Sequence, residues 1–257
     1  MGVRDLFKLD GRVALVTGGS RGLGLQMAEA LGEMGCAVAL VARKAEELAQ
    51  ARQQLQAQGV TVLTVVADLQ QPESVAPLVE QVLQRYGQID ILVNNAGATW
   101  GAPAEDYPDA AWHKVMNLNV DATFFLSREV GRRSMIPRQQ GKIINIASVA
   151  GLKGTAPGVH TIAYNTSKAA VINLTRTLAA EWGRYNINVN AICPGFFPSK
   201  MSAGLLEQVQ EAVIARAPLH RIGGEEDLKG SVVFLASEAS RHITGQYLAV
   251  DGGSCIV

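Results

Sequence analysis

The chain has 257 residues, of which 48% are hydrophobic and 18% charged, a composition that suits one large α/β domain. Its 23 basic and 23 acidic side chains cancel, so charge offers no argument for a nucleic-acid or anionic-membrane partner. The three cysteines, Cys36, Cys193 and Cys255, form no CxxC pair or Cys/His cluster, which leaves no disulfide framework or metal site to expect; they read as small buried hydrophobes of a reducing compartment.

Along the chain, short β-branched runs alternate with longer helical patterns. The opening MGVRDLFKLDGR mixes charge with apolar residues and lacks the apolar stretch of a signal peptide. RVALVTG (12–18) reads as a strand, and a helix follows with Leu23, Met27, Leu31 and Met34 on one face. Residues 38–42 form a second strand, and a polar helix spans about 44 to 58. TVLTVVADL (61–69) is a third strand and QPESVAPLVEQVLQRYG a third helix. IDILVNNAG (89–97) is a fourth strand, and a long helix runs from near Asp109 towards Arg133. A fifth strand (143–148), a helix over about 161–185, a sixth strand (187–195), a helix in LKGSVVFLAS and a last strand in QYLAVDGG complete the series. The stretch 196–224 is the only loop-rich region of any size. No run approaches the roughly 20 apolar residues of a membrane helix, so a soluble, cytoplasmic protein is expected.

Strands apolar on both faces and separated by helices predict a parallel sheet covered on both sides. Such sheets bind ligands at the carboxyl ends of their strands. The glycine-rich TGGSRGLG (17–24) lies at one of these ends, between the first strand and the first helix. Glycines there permit a tight turn and a close backbone approach to a diphosphate, with free N–H groups at the helix start. Further on, YNTSK (164–168) sets Tyr164 and Lys168 one helical turn apart, on one face.

The glycine turn, with Gly18, Gly22 and Gly24, resembles the TGxxxGxG motif of the short-chain dehydrogenase/reductase family. The resemblance extends over nearly the whole chain. NNAG (94–97), Ser148 at the end of the fifth strand, Tyr164 and Lys168 as YxxxK, and the PG at 194–195 all match family motifs, in order. Membership implies a single Rossmann-type domain over residues 1–257, a doubly wound parallel sheet with helices on both faces, using NAD or NADP. It implies cofactor contacts at Gly18, Ser20, Arg21, Gly22, Leu23 and Gly24, at Asp68 and Leu69, at Asn95 and Gly97, at Tyr164 and Lys168, and at Pro194, Gly195, Phe197 and Ser199. Phe197 and Ser199 stand where the family uses an aliphatic residue and a threonine. Asn94 is expected to brace strands rather than touch cofactor.

Ketone reduction delivers hydride to carbon and a proton to oxygen. An ordinary tyrosine, with a pKa of roughly 10, holds its proton tightly, and a neighbouring cation lowers that value. Lys168 is placed to be that cation, and the resemblance also has it hold the nicotinamide ribose. Ser148 would orient the substrate oxygen. The family's fourth member is an asparagine that holds a relay water. Asn117 and Asn119 cannot share a helix face, and the family pattern matches Asn119. With all four positions filled, a non-catalytic NADP-sensing protein is disfavoured, and the extended, sugar-epimerising branch, with its different glycine spacing and C-terminal substrate domain, is not expected.

An NAD-preferring enzyme carries an acid at the end of its second strand. Ala42 stands there, with Arg43 beside it and Arg21 in the glycine turn, so NADP(H) is expected over NAD(H) through charge-assisted bonds to a 2′-phosphate. ATWGAPAEDYP, LNV and PGFFPSKM resemble both 3-oxoacyl reductase and gluconate 5-dehydrogenase-like members, so a 3-ketoacyl thioester is the first expectation for the substrate and a keto-sugar acid the alternative. Trp100, Tyr107 and residues 196–222 are expected to line the site, and the segment from Ser148 to Tyr164 is slightly longer than in most relatives, so Thr155 to His160 should edge the pocket. The resemblance further implies a homotetramer.

Overall fold

Residues 2–155, 158–200 and 203–257 are described by a computed structural model. A short helix α1 (Val3–Leu6) leads into β1 (Val13–Thr17), α2 (Gly22–Glu33), β2 (Ala37–Ala42), α3 (Ala45–Ala57), β3 (Val62–Val66), α4 (Val75–Tyr86) and β4 (Ile91–Asn94). Then come α5 (Asp109–Met116), α6 (Ala122–Val130), α7 (Ile136–Arg138), β5 (Gly141–Ile146), α8 (Ile162–Trp182), β6 (Ile187–Pro194), α9 (Ala203–Arg216), α10 (Lys229–Ala236) and β7 (Tyr247–Val250). The strands form one sheet in the order β3-β2-β1-β4-β5-β6-β7, and every pair is parallel.

Alternation along the strands explains the two helical layers. Side chains of successive strand residues point to opposite faces. Ala14, Val16, Val38, Leu40, Ile91, Val93 and Ile144 face a layer built from α2, α3 and α10, where Met27, Leu31, Leu48 and Val232 are buried. Val13, Leu15, Ala39, Val41, Leu92 and Ile143 face the opposite layer, where Val75, Leu78, Leu126 and Leu178 are buried. Both faces are apolar, so the sheet is stable only when covered twice. The chain winds outward in both directions from neighbouring β1 and β4, and a crevice opens beyond their carboxyl ends.

Three features depart from the sequence reading. The expected long helix is present, but π-helical turns at Asn117–Asp121 and Gly131–Met135 join α5, α6 and α7 into one run. The stretch 196–224 is not chiefly loop, since it contains the 14-residue α9. Its weak amphipathic pattern hid it. The third strand ends at Val66, ahead of the expected 69, and Asp68 and Leu69 lie in the following turn. Among the described residues, no helix is long and apolar enough to cross a membrane.

Candidate active site

The glycine turn is shaped by contacts that tolerate no side chain. Gly18 has φ +62°, a left-handed conformation that favours glycine. A Cβ on Gly24 would stand 2.2 Å from the Gly18 carbonyl oxygen, so only glycine lets α2 begin this close to β1. Arg21 is the N-cap of α2 and makes no side-chain cap bond, which leaves the first-turn N–H groups of Gly22, Leu23 and Gly24 to an incoming anion. Asn95 fixes the turn from β4. Its Nδ2 donates to the carbonyls of Thr17 (2.9 Å) and Gly18 (3.2 Å), and its backbone N–H donates to Thr17 Oγ1 (2.9 Å). Its amide N–H groups thus brace the turn rather than face outward. Asn94 braces too, donating to Asn145 Oδ1 and Ser127 Oγ, as expected.

At the other end of the crevice, β5 and α8 bring Ser148, Tyr164 and Lys168 together. The Ser148 hydroxyl accepts from the Ala150 N–H at 3.1 Å and hydrogen-bonds the Tyr164 phenol, so it both satisfies a turn and touches the tyrosine. Lys168 is buried, its Nζ donates to the Ile146 carbonyl at 2.7 Å, and it lies 5.6 Å from the centre of the Tyr164 ring. Asn119 is buried in the π turn, while Asn117 is exposed. Asn119 Nδ2 donates to the Ala98 carbonyl (3.0 Å) and to Ser167 Oγ (2.9 Å), and its Oδ1 accepts from the Ala98 N–H (2.8 Å). A Cβ on Gly97 would meet Asn119 Oδ1 at 3.2 Å and Lys168 Nζ at 3.7 Å, so these three positions converge.

The electrostatics differ from the sequence expectation in one respect. Burial pushes the Tyr164 phenol up, with the Ser148 hydrogen bond pulling the other way. Lys168 does not hold the phenol down. Its ammonium lies against the ring and is bonded to a carbonyl, and burial pushes its own pKa down to about 8. Cys193, read as a plain buried hydrophobe, also belongs to this floor. Its sulfur meets the Ser148 backbone N–H, and burial raises it to about 11, so it stays a neutral thiol.

The end of the crevice expected to take the adenosine carries the expected cations and one residue that the sequence reading missed. Arg43 follows the last residue of β2, Ala42, and is exposed. Arg21 does not stand free beside it. Its Nη1 donates to Glu47 Oε1 at 2.7 Å, Lys44 Nζ lies 3.2 Å from the same oxygen, and Ser20 Oγ donates to Glu47 Oε2 at 3.3 Å. Burial raises the Glu47 carboxyl, but Lys44, Arg21 and Ser20 outweigh it and hold the group below the usual range. A lysine three residues before a glutamate at a helix start was the available signal.

Other expected contacts are less direct. The Leu69 side chain is buried in the apolar layer with Val65 and Val75, which leaves only its backbone for a cofactor. Phe197 is likewise a core side chain, packed where a Cβ on Gly223 would be. Asp68 Oδ1 accepts from the Gln70 N–H at 3.1 Å, so the acid serves a turn. Pro194 ends β6, and Gly195 donates to the Val250 carbonyl and sits against Asp251. Ser199 is partly buried. On the substrate side, the His160 carbonyl accepts from the Ala102 N–H at 3.0 Å, so the long loop borders the strand of chain after Trp100. Trp100 is exposed, and Tyr107 donates to its carbonyl. Of the Thr155–His160 stretch, 156 and 157 lie outside the described residues, as do 201 and 202 of the 196–222 region.

Together these residues can bind an anionic dinucleotide along the crevice and deliver a proton beside its far end. Comparison with known proteins places the chain in a family. Residues 12–210 match the family model described as short chain dehydrogenase. The chain is 41% identical to gluconate 5-dehydrogenase of Gluconobacter oxydans, covering 97% of this chain and 96% of that protein. It is also 41% identical to the rhamnolipid-biosynthesis 3-oxoacyl-[acyl-carrier-protein] reductase of Pseudomonas aeruginosa, covering 96% and 97%. Among solved structures, a gluconate 5-dehydrogenase from Burkholderia cenocepacia in complex with NADP and tartrate superposes with a TM-score of 0.93 at 36% identity, covering 100% of each chain. The chain therefore belongs to the short-chain dehydrogenase family and is an oxidoreductase acting on alcohol or ketone groups.

Proposed function

We propose that this enzyme uses NADP(H) to interconvert a secondary alcohol and a ketone on a sugar acid, with Tyr164 as the general acid and base. The meeting of Tyr164, Ser148 and Lys168 carries the reading. When bound, the nicotinamide cofactor supplies or takes the hydride. The protein's part is the proton. In the reducing direction the Tyr164 hydroxyl gives its proton to the carbonyl oxygen as negative charge grows there, and the Ser148 hydroxyl orients that oxygen. Lys168, at about 8, is poised to gain or lose a proton near neutrality, and Asn119 and Ser167 fix the chain around it. In the oxidising direction the same groups act in reverse.

Gly18, Gly22, Leu23 and Gly24 would hold the diphosphate, and Arg21, Arg43 and Lys44 the 2′-phosphate. The absence of an acid at Ala42 supports NADP(H) over NAD(H). The sugar-acid assignment is supported by the Gluconobacter relative and by the tartrate-bound neighbour. A 3-ketoacyl thioester is the second reading, favoured by the Pseudomonas relative at equal identity. We place the working unit as a homotetramer.

Tyr164→Phe tests the chemistry. Turnover should fall by at least about 10²-fold, the lower end for a general acid, with coenzyme affinity little changed. Turnover within a few-fold of the parent enzyme would overturn the role. A panel of keto-sugar acids, simple ketones and ketoacyl thioesters, followed by NADPH absorbance, separates the two substrate readings.

A further inference from the structure

We propose that Glu47 sets the coenzyme discrimination of this enzyme, by holding with its carboxylate the donors that a ribose 2′-phosphate needs. The inference rests on the NADP(H) reading above and deepens it.

Three donors from two different loops meet one carboxylate. Ser20 and Arg21 come from the turn after β1, and Lys44 from the turn after β2. Arg21 and Lys44 share Oε1 at 2.7 and 3.2 Å, and Ser20 donates to Oε2 at 3.3 Å. This corner lies where the adenosine ribose is assigned, beside Ala42. The carboxylate is thus an anion of the chain's own, bound by cations gathered for an anion from outside. The cations remain open to exchange, since the Arg21 and Lys44 side chains are 51% and 64% exposed while Glu47 is 25% exposed. A phosphate with three acceptor oxygens can take Arg21 from the carboxylate. It must then bind beside a negative charge that remains on α3 and has lost its arginine.

A coenzyme with a free 2′-hydroxyl meets the opposite situation. Arg21 need not leave, and Glu47 offers a carboxylate acceptor that Ala42 does not. Both effects act in one direction. Glu47 weakens the 2′-phosphorylated coenzyme relative to the other, so removing its charge should widen the preference. Its neighbour Glu46 occupies the same first turn of α3 and is exposed, so Glu46→Gln controls for a lost charge at a helix start.

The experiment is calorimetric titration of adenosine 2′,5′-bisphosphate and of adenosine 5′-monophosphate into the parent protein, Glu47→Gln and Glu46→Gln. NADPH and NADH fluorescence titrations accompany it. In Glu47→Gln the bisphosphate should bind tighter by on the order of fivefold, the size of one exposed ion pair. The monophosphate should change by less than about twofold, within the range of a weak surface contact. The NADPH-to-NADH affinity ratio should rise, and Glu46→Gln should match the parent. Weaker bisphosphate binding in Glu47→Gln would mean that the carboxylate organises the donors instead of competing for them, and an unchanged affinity would make it a spectator. Either result overturns the proposal. A parent enzyme that binds NADH better than NADPH would instead sink the NADP(H) reading, while a gain of bisphosphate affinity in Glu47→Gln would still uphold the role of Glu47.

Discussion

Replacing Lys168 by methionine should abolish most turnover while raising the stability of the coenzyme-free enzyme near neutral pH. Lys168 is buried and its pKa is pushed from 10.5 down to about 8 by that burial. The difference amounts to about 3 kcal/mol against the charged form in the folded state. Methionine has similar length and no charge to bury. It also forfeits the hydrogen bond to the Ile146 carbonyl, and an orphaned buried acceptor costs about 1–3 kcal/mol. The net gain near pH 7 is then about 0–2 kcal/mol, worth roughly 2–4 °C per kcal/mol in a chain of this size.

The pH dependence is the sharper test. Below about 8 the lysine is protonated in both folded and unfolded states, and the folded enzyme carries the full penalty. Between about 8 and 10.5 the unfolded chain binds more protons than the folded one, so the parent gains stability as pH rises. The methionine variant has no such gain. Its advantage should shrink through this window and reverse near its top, where only the missing hydrogen bond remains. Thermal unfolding of both proteins at several pH values between 7 and 10 would show the curves converging and crossing. A stability difference that stays constant with pH, or moves in favour of the variant as pH rises, would refute the argument. Turnover should drop by at least about 10²-fold at every pH, as expected for a lost proton-handling group.

Two further outcomes follow from the geometry. Arg43→Ala should raise the Michaelis constant for NADPH by on the order of tenfold, the lower end for a charged hydrogen bond at an exposed site, and leave that for NADH nearly unchanged; an equal rise for both coenzymes would remove Arg43 from the 2′-phosphate site. Sedimentation at micromolar concentration should show a tetramer, and the exposed aromatic residues Phe124, stacked under Arg128, and Tyr247, stacked under Arg176, mark surfaces where Phe124→Asp and Tyr247→Asp should dissociate it. A monomeric parent protein would refute the assembly.

The sheet was legible because its period is simple. Most strands are short, largely apolar runs, and both faces of the central strands are apolar, which a doubly covered parallel sheet accommodates. The helix α9 was not legible, since its apolar residues do not gather on one face strongly enough to stand out from the polar stretch around it. α8 contributes side chains to the core as well. Val171 is buried, and Trp182 packs where a Cβ on Gly131 would lie. The buried polar chain from Asn94 through Asn145 to Thr175 was only half visible. Asn145 lies between Ile144 and Ile146 in β5, and nothing in the strand pattern says that it accepts from β4 and donates to α8.

The residues proposed to carry the chemistry stand out by type and spacing, but their positions depend on main-chain groups that any sequence possesses. Lys168 is set by the Ile146 carbonyl, Asn119 by both backbone groups of Ala98, Asn95 by the carbonyls of Thr17 and Gly18, and Ser148 by the Ala150 N–H. A backbone partner leaves no mark in the amino-acid string, so a motif can name the phenol and the ammonium without telling where the proton rests. Here that matters. The lysine spends its charge on a carbonyl and the serine reaches the phenol, so the tyrosine holds its proton more tightly than an adjacent ammonium would allow. Glu47 escaped for a related reason. The expected acid belongs at the end of β2, whereas the fold delivers one from the first turn of α3, five residues later, onto the same arginine. Sequence distance along a strand end and spatial distance across a turn are different measures, and the proposed role of Glu47 in coenzyme choice rests on the second.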